Sequence, residues 1–329
     1  MMDNWEETFK FPEVFDNTIL SAWAGCKTKA FWAHFAHLHP NRTSIHLHAG
    51  AAYAKALEVY RQALYSPHSE TYGDNMASLI PAVRAVMQAF GYDEAYDEYA
   101  ETTNKSCERL IDALYLYAKT YDKHDYIQPI VDSNGNVMVE KSFTIQLDMK
   151  HPVTGNPILF HGRTDALVTC FGEPFQFDDK TTSQLGPTWV NKWDFRSQFD
   201  GYSYGMKQNG FESVGTIVRG HCFLKNEVKF CDAISRRQTW QLDQWLDDVH
   251  QMLYEMSMYY ERALNEFNSG TIKLNLHTLF PKSGRFNEQC NAYAGCEFKP
   301  LCESKFPQRK LNEYRVRVWD PTNPEREDS

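Results

Sequence analysis

Two apolar segments in the middle of the chain, PILFHGRTDALVTCF (157–171) and PFQFDDKTT (174–182), carry charged side chains inside what reads as partly buried sheet. The turn at Gly172–Pro174 between them is short, so the segments read as neighbouring strands. Side chains alternate along a strand, which puts Asp178 and Lys180 on one face. Asp165 can project towards that face from the adjacent strand. Phe175, Phe177 and the run Ala166–Val168 make these positions costly for charge unless the charges are paired or metal-bound. A surface hairpin with ordinary salt bridges is the simpler reading. The sharper one is a fold that gathers two carboxylates and one ammonium in a small volume.

That set suits phosphodiester cleavage. Carboxylates are hard oxygen ligands for Mg²⁺ or Mn²⁺. A bound ion lowers the pKa of its water and neutralises charge on the phosphorus. A lysine beside it orients or deprotonates the water and stabilises the transition state.

The rest of the chain supplies a frame. Residues 49–65, 74–91 and 105–121 suit helices, with Pro81 expected to interrupt or bend the second. Strands follow at 142–149 and in the two segments above, then one helix over 185–210. A hairpin over 215–234 turns at Asn226. Residues 240–267 form the clearest helix, with an apolar stripe from Leu242 to Phe267 that reads as a packing face. The last ten residues are Pro-rich and charged and read as a loose tail.

At 329 residues, 42% hydrophobic and 23% charged, the chain is long enough for a large core and reads as globular. No apolar run is long enough to span a membrane, and the first residues lack the layout of a signal peptide, so a cytoplasmic location is expected. The net charge of −9 argues against blanket adhesion to nucleic acid, though not against a local basic groove. Eight cysteines in such a chain do not suggest a disulfide framework. Cys290, Cys296 and Cys302 stand in a C-x5-C-x5-C array that invites a metal or iron–sulfur reading. Cys107, Cys170, Cys222 and Cys231 have no such spacing and read as buried thiols.

GRTDALV followed by DDKT resembles the D…(D/E)xK signature of the PD-(D/E)XK nuclease superfamily. The later QFDGY, with Gln198 and Tyr202, is similar to the Q-x3-Y motif of its RecB-type branch. The two are four apart and share a helix face. The resemblance implies that Gln198 and Tyr202 assist a site whose catalytic residues are Asp165, Asp178 and Lys180. In that family a His on an upstream helix also binds the metal, but GAAYAKALE has Ala54 at its place. His48 is the favoured substitute ligand, with His46 or Glu58 as alternatives.

RecB-type nucleases with an iron–sulfur cluster carry one Cys before the core and three after it. Cys26 stands where the first would, so the resemblance implies a [4Fe–4S] cluster on Cys26, Cys290, Cys296 and Cys302, with Zn²⁺ as runner-up. The family's usual spacing is C-x2-C-x5-C. Joining Cys26 to Cys290 would close a long loop, worth on the order of 5 kcal/mol of chain entropy. The cluster would then act as a staple. Between Lys299 and Val318 six basic residues face two acids; with Phe306, Tyr314 and the Lys27, Lys29, Phe31, Trp32 stretch they could track a DNA strand.

The implied fold is α/β: a restriction-endonuclease-like mixed central sheet flanked by helices, with a helical N-terminal segment and a C-terminal iron–sulfur lobe. One nuclease domain over 1–329 would comprise an N-terminal segment (1–48) contributing one Cys, a core (49–234), a long helix and cluster loop (235–302), and a basic stretch with its tail (303–329). The expected activity is Mg²⁺- or Mn²⁺-dependent cleavage of DNA, exonuclease-like or end-processing, at single strands or duplex ends. Two rivals are a DNA-binding scaffold with a degenerate site, and a metal-dependent hydrolase or zinc-stabilised protein acting on something other than DNA.

Overall fold

The computed structural model describes residues 8–41, 45–90, 104–271, 276, 278–292 and 295–323. Most of the charged tail lies outside them. In chain order the elements are β1 (Val14–Phe15), α1 (Asn17–Gly25), α2 (Lys27–Ala30), a π-helical turn (Phe31–Phe35), β2 (Leu38–Pro40), α3 (Ile45–Tyr65), α4 (Asn75–Phe90) and α5 (Cys107–Thr120). Then come β3 (Ile127–Pro129), β4 (Val139–Lys150), β5 (Pro157–Cys170), β6 (Glu173–Thr182), α6 (Pro187–Asn191) and α7 (Ser197–Gln208). The chain continues with β7 (Gly215–Phe223), β8 (Val228–Arg236), α8 (Thr239–Asn268), α9 (Lys299–Glu303) and β9 (Tyr314–Val316). The fold is mixed α/β: a mixed seven-stranded sheet ordered β1-β5-β6-β7-β8, with β3 and β4 also on β5, flanked by helices.

The chain divides into two compact units. One comprises 1–42, 144–162 and 243–329, the other 43–143 and 163–242. The single domain read from the sequence thus carries a division that the residue pattern did not show. β4 and β5 each have residues assigned to both units.

In the unit of 43–143 and 163–242, β5 and β6 form the expected hairpin, from Cys170–Glu173 to Ala166–Phe177. β6 and β7 run parallel, with Asp178 beside Val218 and Asp179 beside Arg219. Helices α3, α4 and α5 close a core of small and aromatic side chains, among them Ala52, Tyr53, Ala56, Leu57, Ala82 and Leu114. Asp74 caps the start of α4 through the Met76 and Ala77 N–H groups, and Ser106 caps α5 through Arg109. Pro81 does not end α4. Leu79 and Ala82 are buried on either side of it, and this packing outweighs the roughly 3 kcal/mol cost of an internal proline. The single helix read at 185–210 is two, α6 and α7. Arg237 donates to the Trp193 carbonyl at 3.1 Å, which takes that acceptor from the helix ladder.

In the other unit, Phe11, Phe15, Trp23, Phe31, Phe35 and Phe280 build an aromatic core with Tyr260 of α8. The α8 stripe is a packing face as read, with Trp245, Val249, Leu253, Met256 and Tyr260 buried. Among the expected buried thiols, Cys170 and Cys222 are buried whereas Cys107 and Cys231 are half-buried, because they sit on a helix start and a hairpin's second strand.

Candidate active site

β6 divides its charges between two faces. Asp178 and Lys180 point one way, with Gln176, whose Oε1 accepts from Ser203 of α7 (3.2 Å) and Thr216 of β7 (3.1 Å). That ties α7 over this face. Trp189 of α6 lies against Gly220, where a Cβ would come within 2.6 Å of its ring, so only glycine admits the indole beside Lys180 on the neighbouring strand. Asp165 stands one step beyond the last ladder pair of β5 and β6, across from Asp178. Its Oδ2 accepts from the Asp179 backbone N–H at 2.7 Å, which fixes the carboxylate at the point where the ladder ends.

Lys180 Nζ lies 2.6 Å from Asp178 Oδ2. Among the described residues the ammonium is the one cation in contact with this buried oxygen. Burial raises the Asp165 carboxyl well above its ordinary value, and Asp178 and Asp179 push it further. Burial also raises Asp178, against the pull of Lys180. Lys180 is one-third exposed and keeps its proton firmly: burial opposes this, but Asp178 and Asp165 win. Two adjacent carboxylates that resist ionising, with one lysine between them, fit a divalent cation. Among the described residues no three His, Cys, Asp or Glu side chains are drawn close enough to enclose an ion, so water or substrate oxygens would complete its shell.

Gln198 and Tyr202 fall one turn apart on α7, and Gln198 Nε2 donates to the Tyr202 hydroxyl at 2.8 Å. Burial, then Asp178, holds the Tyr202 proton on. Asp165, Asp178, Lys180, Gln198 and Tyr202 are therefore gathered in one place.

The upstream ligands are placed differently. α3 packs on the opposite face of β6: Arg61 pairs with Asp179, and a Cβ on Gly50 would lie 3.7 Å from Thr181 Oγ1. The His48 ring turns to α4, with Nε2 3.0 Å from the Ala89 carbonyl and the ring edge-on to Phe90. Glu58 bonds along its own helix to Lys55 and Gln62. His46 is exposed. A carboxylate missed in the sequence is Glu140, whose charge acts on Asp165 while it pairs with Arg163 at 2.9 Å.

The reverse face of β6 holds a buried ionic network that sequence reasoning also missed. Asp179 Oδ2 accepts from Arg61 at 2.6 Å and Oδ1 meets His221 Nε2 at 2.8 Å. Tyr53 contacts His221 Nδ1, and Tyr117 links Arg61 to Arg219. Arg219 holds Asp232 through two bonds and Asp125 through one. Burial alone would raise Asp179; Arg61, with His221, overcomes it and holds the carboxyl far below its ordinary range. Strict alternation about Asp178 was the available signal.

The four cysteines of the expected cluster share one neighbourhood in the other unit. A Cβ on Gly284 would lie 3.3 Å from Cys26 Sγ and 3.4 Å from Cys290 Sγ, so any other residue there would press on both sulfurs. Cys296 N–H donates to the Cys290 carbonyl. The Cys302 thiol is pushed up to about 11, mainly by burial, with Cys296, Cys26 and Cys290 adding and Lys282 opposing. Cys26, Cys290, Cys296 and Cys302 are free thiols, soft donors of the kind a metal or cluster takes, and among the described residues no three of them are drawn close enough to enclose one. The expected DNA track is not continuous there: Phe31, Trp32 and Tyr314 are core residues, buried because each packs on neighbouring rings, and Lys27 and Lys29 pair with Glu255 and Glu297.

No helix among the described residues is long and apolar enough to cross a membrane. No family model and no curated protein matches the chain. Among solved structures it is similar to one described as "Crystal structure of SSO0001", at 14% identity over 49% of this chain and 69% of that one, with a TM-score of 0.25. A likeness at that level carries no argument about function.

Proposed function

We propose that this protein is a metal-dependent DNA nuclease of the PD-(D/E)XK type, RecB-type branch, with the cysteines holding a structural [4Fe–4S] cluster. The observation that carries the reading is the meeting of Asp165, Asp178 and Lys180 on one face at the end of a β ladder, two buried carboxylates with one lysine between them. Asp165 and Asp178 would hold Mg²⁺ or Mn²⁺. The bound ion would supply an acidified water and charge neutralisation at phosphorus. Lys180, fully protonated, would hold the attacking oxygen or a phosphate oxygen in line rather than act as a free base. Gln198 fixes the Tyr202 hydroxyl beside this pair.

The test is cleavage of end-labelled single-stranded and duplex DNA with Mg²⁺ or Mn²⁺. Wild-type protein should cut, while Asp178→Asn and Asp165→Asn should be inactive and Lys180→Gln slower by orders of magnitude. Full activity in Asp178→Asn would remove this site from consideration. A second reading, a DNA-binding scaffold with a degenerate site, is favoured by the engagement of His48 with α4. Metal-independent DNA binding with no cutting of any strand would select it.

A further inference from the structure

The connection between α6 and α7, residues 192–196 (KWDFR), leaves cations and an aromatic ring open beside the carboxylates. Phe195 is 84% exposed. Lys192 Nζ stands 4.2 Å from the Trp193 ring and 5.6 Å from that of Trp189. These indoles are buried and cross edge to face at 5.4 Å, so the lysine rests on a fixed platform. Arg196 is exposed immediately before α7, two residues from Gln198. Its charge acts on Asp178 and on Lys192, and Lys180 acts on Lys192 too. Neither Lys192 nor Arg196 has an ion-pair partner among the described residues. Asp194, the acid in this segment, is tied to Ser235.

Unpaired cations gathered around a carboxylate pair select a polyanion whose middle phosphate meets the site. An open ring between them adds a second requirement. In a duplex the base faces are already stacked and covered, so Phe195 finds a partner only on an unpaired base. We propose that residues 192–196 form a saddle for unpaired DNA: Lys192 and Arg196 hold the phosphates beside the one attacked, and Phe195 stacks on the adjoining base. The saddle makes the site selective for a single strand or a frayed end over an intact duplex. This rests on the nuclease reading for the reaction itself, but its test reads binding.

The full-length protein would be titrated, with Ca²⁺ replacing Mg²⁺, against a labelled thymidine 12-mer and a blunt duplex of equal length, followed by fluorescence anisotropy. Wild type should favour the single strand. Phe195→Ala should weaken single-strand binding on the order of 10-fold or more, leave duplex binding alone, and be rescued by Phe195→Trp. Lys192→Gln and Arg196→Gln should each reduce the salt dependence by about 0.7 in log–log slope. All three positions are exposed, and unchanged melting temperatures would show the variants folded. Preference for duplex, equal loss on both substrates in Phe195→Ala, no loss at all, or no binding by wild type would each overturn the proposal. Wild-type protein that binds in the expected pattern yet cuts nothing with Mg²⁺ or Mn²⁺ would support the saddle and refute the nuclease reading alone.

Discussion

Asp178 and Asp179 are consecutive, both are carboxylates in a buried strand, and their amide variants should behave in opposite ways. Asp179→Asn removes the partner of Arg61, which is 5% exposed at its side chain, and of His221, which is fully buried. Breaking a buried pair by removing one member costs roughly 3–5 kcal/mol, because the other charge stays behind unpaired. Each kcal/mol lowers the melting temperature of a unit of this size by about 2–4 °C, so the expected fall is roughly 6–20 °C. Asp178→Asn removes one of two carboxylates that burial and mutual repulsion already disfavour as anions. Its partner Lys180 is one-third exposed and can turn to water. Metal-free Asp178→Asn should therefore melt at or above the wild-type temperature.

Metal separates the pair again. Mn²⁺ at a hundredfold excess over its dissociation constant adds about 2.7 kcal/mol to any protein that binds it only when folded. Wild type and Asp179→Asn should both show that gain, since Asp165 is positioned by the Asp179 backbone rather than its side chain. Asp178→Asn should show none. Differential scanning calorimetry with EDTA and with Mn²⁺ measures each of these shifts. Equal destabilisation by the two variants, or a neutral Asp179→Asn, would refute the assignment of opposite faces.

Three further outcomes follow from the same geometry. Because the folded-state pKa values of Asp165 and Asp178 are raised, their contribution to stability is present below the ordinary carboxylate value and lost as pH rises through the raised values; the gap between wild type and the Asp165→Asn, Asp178→Asn double variant should widen with pH in EDTA and not in Mn²⁺, as measured by chemical denaturation. Cys26→Ser should lose iron and sulfide together and melt at a lower temperature, while Cys170→Ser keeps both, by metal analysis of anaerobically purified protein; about one zinc and no iron would replace the cluster with a zinc site. Gly205→Ala gains about 1 kcal/mol of helix propensity but places a Cβ 2.0 Å from the Phe143 ring, an overpacking cost of about 1–3 kcal/mol that should prevail, slow cleavage by shifting Gln198 and Tyr202, and be relieved by Phe143→Leu in a double-variant cycle.

The hairpin, the long α8 and the Gln198–Tyr202 pairing were legible because each rests on a local period: two along a strand, or 3.6 along a helix. Asp178 and Lys180 sharing a face needed only that rule. What the sequence hid depends on residues far apart in the chain. Arg237 drawing off the Trp193 carbonyl splits a helix that 185–210 alone would propagate. His48 reads as a ligand while α3 is considered alone, and the direction of its ring is decided by α4, forty residues on. Asp179 was overlooked for a related reason. Its partners Arg61 and His221 come from α3 and β7, and no window around DDKT contains them.

The two faces of β6 also show why charge alone does not mark a functional site. On the reverse face two arginines, three carboxylates, a histidine and two tyrosines are all buried or nearly so, yet each named acid has a cationic partner within 3.1 Å. Such a network is structural: Asp179 is held below its ordinary range and its partners are complete. The other face has the opposite imbalance. Asp165 and Asp178 have one shared lysine between them and raised pKa values. Stability alone does not favour that arrangement, because neutral residues would pack there at lower cost. An unmet demand for positive charge, next to exposed cations that have no anion of their own, is the physical reason to look for metal and phosphate at this face.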